Sequence, residues 1–249
     1  MRAYGSLAGS YDRLTDDVPY EAFADFYEKL LKREGGKTAL LLDLCCGTGT
    51  VTGILARRGY EMIGADASPE MLSEAQEKAD AMEGCIKPIY LCQEASELDL
   101  YGTIDGALCC LDGMNYIPPE EMETVFARLH MFIEAGGVFA FDMHAPQHLR
   151  ELDGQVFVDE TEDVLCLWRA EFDDAENALF YGMDIFTRDG EKWDRSEEEH
   201  IEYAHSPEEL CSMLRKSGFK TAEIIRDCPM SGNGRLFIRA VNGEGGQHG

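Results

Sequence analysis

The stretch LLDLCCGTGT, Leu41 to Thr50, decides how the rest of the chain is read. An apolar run ends at an acid, Asp43, a short loop with Gly47 and Gly49 follows, and the segment from Thr50 looks helical. Strand, glycine-bearing loop and helix in that order form the usual mouth of a nucleotide-type pocket, because exposed N–H groups and the positive end of a helix meet there. Two phosphate readings lose ground at once. A dinucleotide fingerprint, GxGxxG, would place its third Gly where Thr52 stands, and a phosphate loop ending in Gly-Lys-Ser/Thr would need a Lys that is absent. What remains is Asp43 beside the loop and a second acid, Asp66, closing the next apolar stretch YEMIGAD (Tyr60 to Asp66). A carboxylate in that position can accept both hydroxyls of a ribose.

The pattern extends in both directions. Upstream, Phe23, Phe26, Tyr27, Leu30 and Leu31 recur at helical spacing behind Pro19, and Gly35-Gly36 ends the run. Leu40 to Leu44 is read as the first strand, Thr50 to Arg58 as a helix and Tyr60 to Asp66 as the second strand. Ser68 is placed to cap a helix with Pro69 at its first position and Met71, Leu72, Ala75, Ala79 and Met82 on its buried face. IKPIYLCQEA is a third strand ending near Glu94, and Ile104 to Leu111 a fourth. Pro118-Pro119 opens a helix with Met122, Val125, Phe126, Leu129 and Ile133 inward, Gly136-Gly137 closes it, and VFAFDM is the fifth strand. Five βα units predict an α/β fold with a doubly wound parallel sheet.

Beyond about Arg150 the period changes. Val164, Cys166, Trp168, Ala170 and Phe172 alternate, as do Leu179, Tyr181, Met183 and Ile185, with turn-forming DDAEN and RDGE between runs. This predicts an antiparallel meander from about Val156 to Tyr203. A capping box of Ser206 and Glu209 then opens a helix through Lys216 that Gly218 ends. FKTAEIIRD and RLFIRAV follow as two strands joined by the turn-rich CPMSGNG, and the Gly-rich tail from Gly243 is expected to fray.

The totals narrow the function classes. A chain of 249 residues suits one domain. Its 22 Lys and Arg against 48 Asp and Glu leave a formal charge of -26, which would repel nucleic acid over most of the surface. The 9 cysteines are odd in number and include two adjacent pairs, Cys45-Cys46 and Cys109-Cys110, inside predicted strand ends, as in a reduced cytosolic protein. No CxxC or Cys/His spacing suggests a metal site, and no signal peptide or membrane-length apolar run is seen. The expectation is a cytoplasmic protein with neither a nucleic-acid nor a membrane partner.

On these residues the sequence resembles the class I (Rossmann-like) S-adenosylmethionine-dependent methyltransferases. Their first motif runs acid, x, Gly, x, Gly, x, Gly; DLCCGTG matches it at Asp43, Gly47 and Gly49 and departs at Cys45, where the first Gly is usual. The resemblance implies a seven-stranded, mostly parallel sheet whose last pair is antiparallel, supplied here by the two final strands, with the meander as an insert. It implies S-adenosyl-L-methionine as cofactor, its amino acid part at Cys45, Cys46, Gly47, Thr48 and Gly49, its ribose at Asp66 and its adenine near Ala67, Met71 and the residues after the third strand, Gln93, Glu94 or Ala95. The opening segment resembles the N-terminal helical part of small-molecule members, in which the Tyr of a YD pair, here Tyr11, closes over the cofactor. The insert resembles the substrate-covering sheet of sugar and small-amine N-methyltransferases. One domain, 1–249, is implied: a helical lid at 1–35, a core of 36–149 and 205–241, and the strand insert at 150–204.

The implied activity is methyl transfer to the N or O atom of a small-molecule acceptor, with the oligomeric state open. His144 follows the fifth strand at the carboxyl edge where open sheets bind ligands, so it is a candidate base for the acceptor, weighed against a loop histidine without a role. Cys110 either touches the cofactor or is a small buried hydrophobe, and Asp112, Asn115 and Tyr116 occupy the next loop. Three rival readings are a nicotinamide-dependent oxidoreductase, a non-catalytic S-adenosylmethionine-binding protein, and a metalloid methyltransferase working through thiolates.

Overall fold

Leu41 and Leu42 are neighbours in sequence and fully buried on opposite faces of one sheet. They belong to β1 (Leu40–Leu44), in which successive side chains alternate sides. The computed structural model describes residues 5, 7–33, 38–226 and 232–243. β1 pairs in parallel with β2 (Glu61–Asp66) and with β4 (Ile104–Cys109). β3 (Ile89–Cys92) and β5 (Ile133–His144) extend the parallel set outward. β11 (Arg235–Asn242) runs antiparallel to β5, and β10 (Phe219–Ile225) antiparallel to β11, giving the order β10-β11-β5-β4-β1-β2-β3. The expected seven-stranded sheet with an antiparallel last pair is therefore present, and the final strand lies between the fifth and the one before it.

Helices cover both faces, as right-handed crossovers require. On one face α2 (Tyr20–Leu30) and α3 (Thr50–Arg57) pack Tyr27, Ile54 and Leu55 against Leu41, Met62 and Leu108. On the other, α5 (Met122–Phe132) and α7 (Pro207–Lys216) pack Phe126, Leu129 and Leu214 against Leu42, Leu44, Phe139 and Phe141. Each large side chain so buried contributes about 1.5–3 kcal/mol. α1 (Ala8–Leu14) precedes α2, and α4 (Pro69–Asp80) starts at Ser68, whose hydroxyl accepts the Met71 N–H at 3.2 Å. Ser206 caps α7 in the same way.

Two boundaries differ from the sequence expectation. Ile133 was placed on the inward face of a helix, but α5 stops at Phe132 and Ile133 opens β5 opposite Ile104. The register then slips before Gly106 meets Val138, so Gly136-Gly137 forms an irregularity inside a long strand instead of a turn before it. A short helix, α6 (Pro146–Glu151), also appears where none was expected, with Pro146 at its start.

The meander is a separate four-stranded antiparallel sheet within the expected span: β6 (Val156–Glu160), β7 (Val164–Asp173), β8 (Ala178–Asp189) and β9 (Lys192–Tyr203). Its inward residues Val164, Cys166, Tyr181, Met183 and Ile185 form a third apolar cluster with Leu7 and Leu149. Among the described residues no helix is long and apolar enough to cross a membrane. The Gly35-Gly36 stop, most of the CPMSGNG turn and the tail past Gly243 lie outside the described residues.

Candidate active site

The loop after β1 is shaped by Asp66. Its Oδ2 accepts the Gly47 N–H at 2.8 Å and its Oδ1 accepts the Ser68 N–H at 2.9 Å, so one carboxylate ties the loop after β1 to the loop after β2. Burial pushes the Asp66 carboxyl up, and the backbone donors work against that shift. Asp43, one strand away, is fully buried and accepts the Thr52 hydroxyl at 2.5 Å. Burial raises its pKa to about 7, with Thr52 opposing and the Asp66 charge adding to the rise. Thr52, standing where a dinucleotide fingerprint would have Gly, is thus used to hold an acid.

Cys45 has φ 55°, the left-handed conformation that the usual Gly adopts freely. The fold accommodates its side chain by having no side chain opposite. A Cβ on Gly113 would stand 2.8 Å from Cys45 Cβ and 2.6 Å from Cys109 Sγ. Gly49 is also left-handed, at φ 69°, but it faces Tyr90 and Ala75, and its N–H donates to the Cys46 carbonyl at 2.9 Å. Its position serves the packing of α3 on α4, not the cavity wall.

The loop after β4 is held by a buried acid that the sequence did not single out. Asp142 of β5 accepts the Tyr27 hydroxyl at 2.6 Å and the Leu111 and Asp112 N–H groups at 2.9 and 3.3 Å, and it pairs with Arg235 of β11. These bonds support Leu111 and Asp112 in left-handed backbone, φ 59° and 65°. Arg235 also pairs with Asp112. His144 joins this cluster: Nδ1 is 3.2 Å from Glu202 of β9, and Nε2 is 3.6 Å from Asp112 and 3.2 Å from Arg235. Burial disfavours its charge, but Asp112 and Glu202 outweigh burial and Arg235, so its pKa is raised.

A cleft of about 1350 Å³, including its open mouth, runs along the carboxyl ends of β1, β2 and β4. Asp43, Cys45, Cys46, Gly47 and Thr48 line its floor; Asp66, Ala67 and Met71 line one side with Gln93, Glu94 and Ala95; Tyr11 and Cys110 line the other. Of the residues expected at a cofactor, Gly49 alone is not in this lining, and His144 stands outside it in the charged cluster. Tyr20, Tyr116 and Glu121 are added to the wall. α1 is latched over the loop through Asp12, which accepts the Thr48 hydroxyl at 2.6 Å and pairs with Lys78 of α4 at 2.5 Å. The YD pair was the available signal for that latch. Among the described residues, no group of three or more metal-ligating side chains is assembled.

The comparisons with known proteins agree with this geometry. A family model described as Methyltransferase domain matches residues 41–137. YqeM of Bacillus subtilis (strain 168), a protein named as a methyltransferase, is 30% identical over 244 residues, spanning 95% of this chain and 96% of its own. A solved S-adenosylmethionine-dependent methyltransferase from Clostridium acetobutylicum ATCC 824 is 29% identical, covers 97% of this chain and 100% of its own, and superposes with a TM-score of 0.80. The sugar N-methyltransferase KedS8 from Streptoalloteichus sp ATCC 53650 shares the fold at 20% identity and a TM-score of 0.81, over 98% of this chain and 96% of its own. With the sheet order, the acid-bearing glycine loop and a relative matched end to end, the chain belongs to the class I S-adenosylmethionine-dependent methyltransferases.

Proposed function

We propose that the cleft holds S-adenosylmethionine with its ribose on Asp66, its adenine between Ala67, Met71 and the Gln93–Glu94–Ala95 turn, and its amino acid part on Cys45, Cys46, Gly47 and Thr48, under Tyr11. Three observations support the fit. A carboxylate has about four acceptor sites, so Asp66 keeps acceptor capacity for the ribose beside the backbone donors of Gly47, Ala67 and Ser68. Apart from Gly49, the residues expected at the cofactor line one cleft at the carboxyl ends of the strands, where open α/β sheets bind ligands. Asp43 lies in the cleft lining, where a cationic ligand would favour its ionised form. The cofactor brings an activated methyl carbon; the chain's own residues align the acceptor and exclude water, for which effective molarities of about 10⁵ M or more are attainable.

The acceptor in this reading is a small molecule methylated at N or O, entering beside β4. The observation that carries it is the attachment of the four-stranded sheet over that end: Asn115 donates to the Tyr203 carbonyl at 3.0 Å, and His144 meets Glu202. A charge of -26 works in the same direction against a polyanion. Residues 150–204 then form the substrate cover and the N-terminal segment the lid. Incubation with methyl-tritiated cofactor and a cell lysate tests this. Label should pass to the dialysable fraction, and label found only in protein or nucleic acid would overturn it.

A further inference from the structure

Cys45 and Cys46 follow β1, Cys109 ends β4 with Cys110 after it, and all of them are free thiols. Their side chains take three directions. Cys46 Sγ turns toward β2, where a Cβ on Gly64 would stand 2.9 Å away. Cys110 belongs to the apolar cluster of Leu41 and Phe237 on one face of the sheet. Cys45 and Cys109 lie on the other face, with Leu44 and Phe141. There the two thiols are hydrogen-bonded to each other, and both converge on Gly113. A Cβ at that residue would lie 2.6 Å from Cys109 Sγ and 3.5 Å from Cys45 Sγ, so the absence of a side chain on Gly113 keeps the sulfurs together.

The strands set a spacing that suits a bond. β1 and β4 are parallel neighbours with Asp43 opposite Leu108, so Cys45 and Cys109 are offset by one residue in that register. Across a strand spacing of about 4.8 Å this offset puts the α-carbons about 6 Å apart, the usual separation in a disulfide. The pairs adjacent in sequence point apart instead, and such pairs are not bridged without backbone movement. Access to the two thiols is unequal. Cys45 is half-buried and lines the cleft, whereas Cys109 is fully buried and outside the lining.

We infer that Cys45 and Cys109 are a modification site for a low-molecular-weight disulfide, and that closing a bond between them shuts the cofactor cleft. The inference rests on the placement of the cofactor's amino acid part on the Cys45 loop. Cys45 first gives up its proton and its sulfur attacks one sulfur of the small disulfide, whose S–S bond breaks. The departing half keeps the electron pair and takes a proton, leaving as a thiol. Cys109 then loses its proton, and its sulfur displaces the second half from Cys45 in the same way. The protein gives up two electrons and two protons, and one small disulfide becomes two thiols. The hydrogen bond with Cys45 and burial push the Cys109 thiol up, which slows the second step but also makes Cys109 a poor leaving group, so the closed bond persists. Closure brings the sulfurs to about 2.05 Å. Cys109 is held by the sheet opposite Phe141, so the movement falls on Cys45, already in left-handed backbone, and on the loop through Gly47.

Oxidised glutathione is the probe. The full chain is incubated with it, digested without reductant and mapped by mass spectrometry. A Cys45 peptide should be joined to a Cys109 peptide, with no glutathione retained. Calorimetry with S-adenosylhomocysteine should show the treated protein binding about tenfold or more weakly, and dithiothreitol should restore the affinity. Cys109→Ala, outside the cleft lining, should bind within about twofold of wild type before treatment. After treatment it should retain glutathione on Cys45, because the thiol that would displace it is gone. Should that variant not fold, the wild-type map and titration decide alone. Unreacted Cys45, glutathione retained on Cys45 of the wild type, a bond from Cys45 to Cys46 or Cys110, or a linked protein of unchanged affinity each overturns the inference. In the reduced protein, S-adenosylhomocysteine should protect Cys45 from iodoacetamide. Binding without that protection puts the error in the cofactor's placement and overturns the closing of the cleft, while the linked peptide decides the modification site by itself.

Discussion

Asp43→Asn should stabilise the ligand-free protein at about pH 8 relative to its effect at about pH 5. Burial raises the Asp43 carboxyl from 3.8 to about 7, so the folded chain holds this proton more tightly than the unfolded chain does. Such a group contributes stability that is fully present below about pH 4 and is lost as pH rises to about 7. At about 1.4 kcal/mol per pKa unit the whole loss is about 4 kcal/mol, of which about 2–3 kcal/mol falls between pH 5 and 8. Asn cannot ionise, and its carbonyl still accepts the Thr52 hydroxyl. Its amide hydrogens need partners in a buried site, at a cost of about 1–3 kcal/mol that does not vary with pH. The informative quantity is therefore a difference of differences. Urea unfolding of both proteins at both pH values should show the variant gaining about 2–3 kcal/mol on wild type between the lower and the higher pH. Groups that do not interact with Asp43, His144 among them, contribute equally to both proteins and cancel, and only Asp66, whose charge couples to Asp43, adds a smaller term of its own. A gap that is the same at both pH values would mean that Asp43 ionises without penalty, and the description of the site as a buried acid awaiting a cationic ligand would be wrong.

Asp66→Ala removes the acceptor for two loops and for the ribose, and cofactor affinity should fall by about 1.5–3 kcal/mol in a calorimetric titration; unchanged affinity in a folded variant would remove Asp66 from the site. Cys45→Gly should keep cofactor affinity within about threefold, whereas Cys45→Val forces a β-branched residue into left-handed backbone and should cost about 1–3 kcal/mol in thermal unfolding. Equal melting of the two would show that the backbone there is not constrained. Asp12→Ala frees α1 from Thr48 and Lys78. It should make the chain before Pro19 the first site of limited proteolysis, and a digestion pattern identical to wild type would argue against the latch.

What the sequence made legible is what lies close in sequence. Asp43, the Gly47 loop and Asp66 fall within one βαβ unit, so their spacing and the helix periods around them sufficed. The same holds for the Ser68 and Ser206 caps and for the alternation of β7 and β8. Arg235 with Asp142, Tyr116 with His200 and Leu7 with Glu198 are 93, 84 and 191 residues apart, and the sheet order that unites them cannot be read from local pattern. His144 was located correctly at a sheet edge, but nothing local foretold that Glu202 and Asp112 would claim its ring. The Ile133 boundary was missed because a β-branched apolar residue fits the buried face of a helix end and the start of a strand equally well. Cys45 was visible as a departure from the family's glycine, while its remedy, Gly113, lies across the sheet on the β4 side.

The most direct test is a crystal structure of the protein with S-adenosylhomocysteine. Both ribose hydroxyls should lie about 2.5–3.0 Å from the Asp66 carboxylate. The adenine should rest between Met71 and Ala95, and the amino acid group on the Cys45 to Thr48 loop beneath Tyr11. A nucleoside seated elsewhere, with no ribose hydroxyl in hydrogen-bond contact with Asp66, would contradict the site built here.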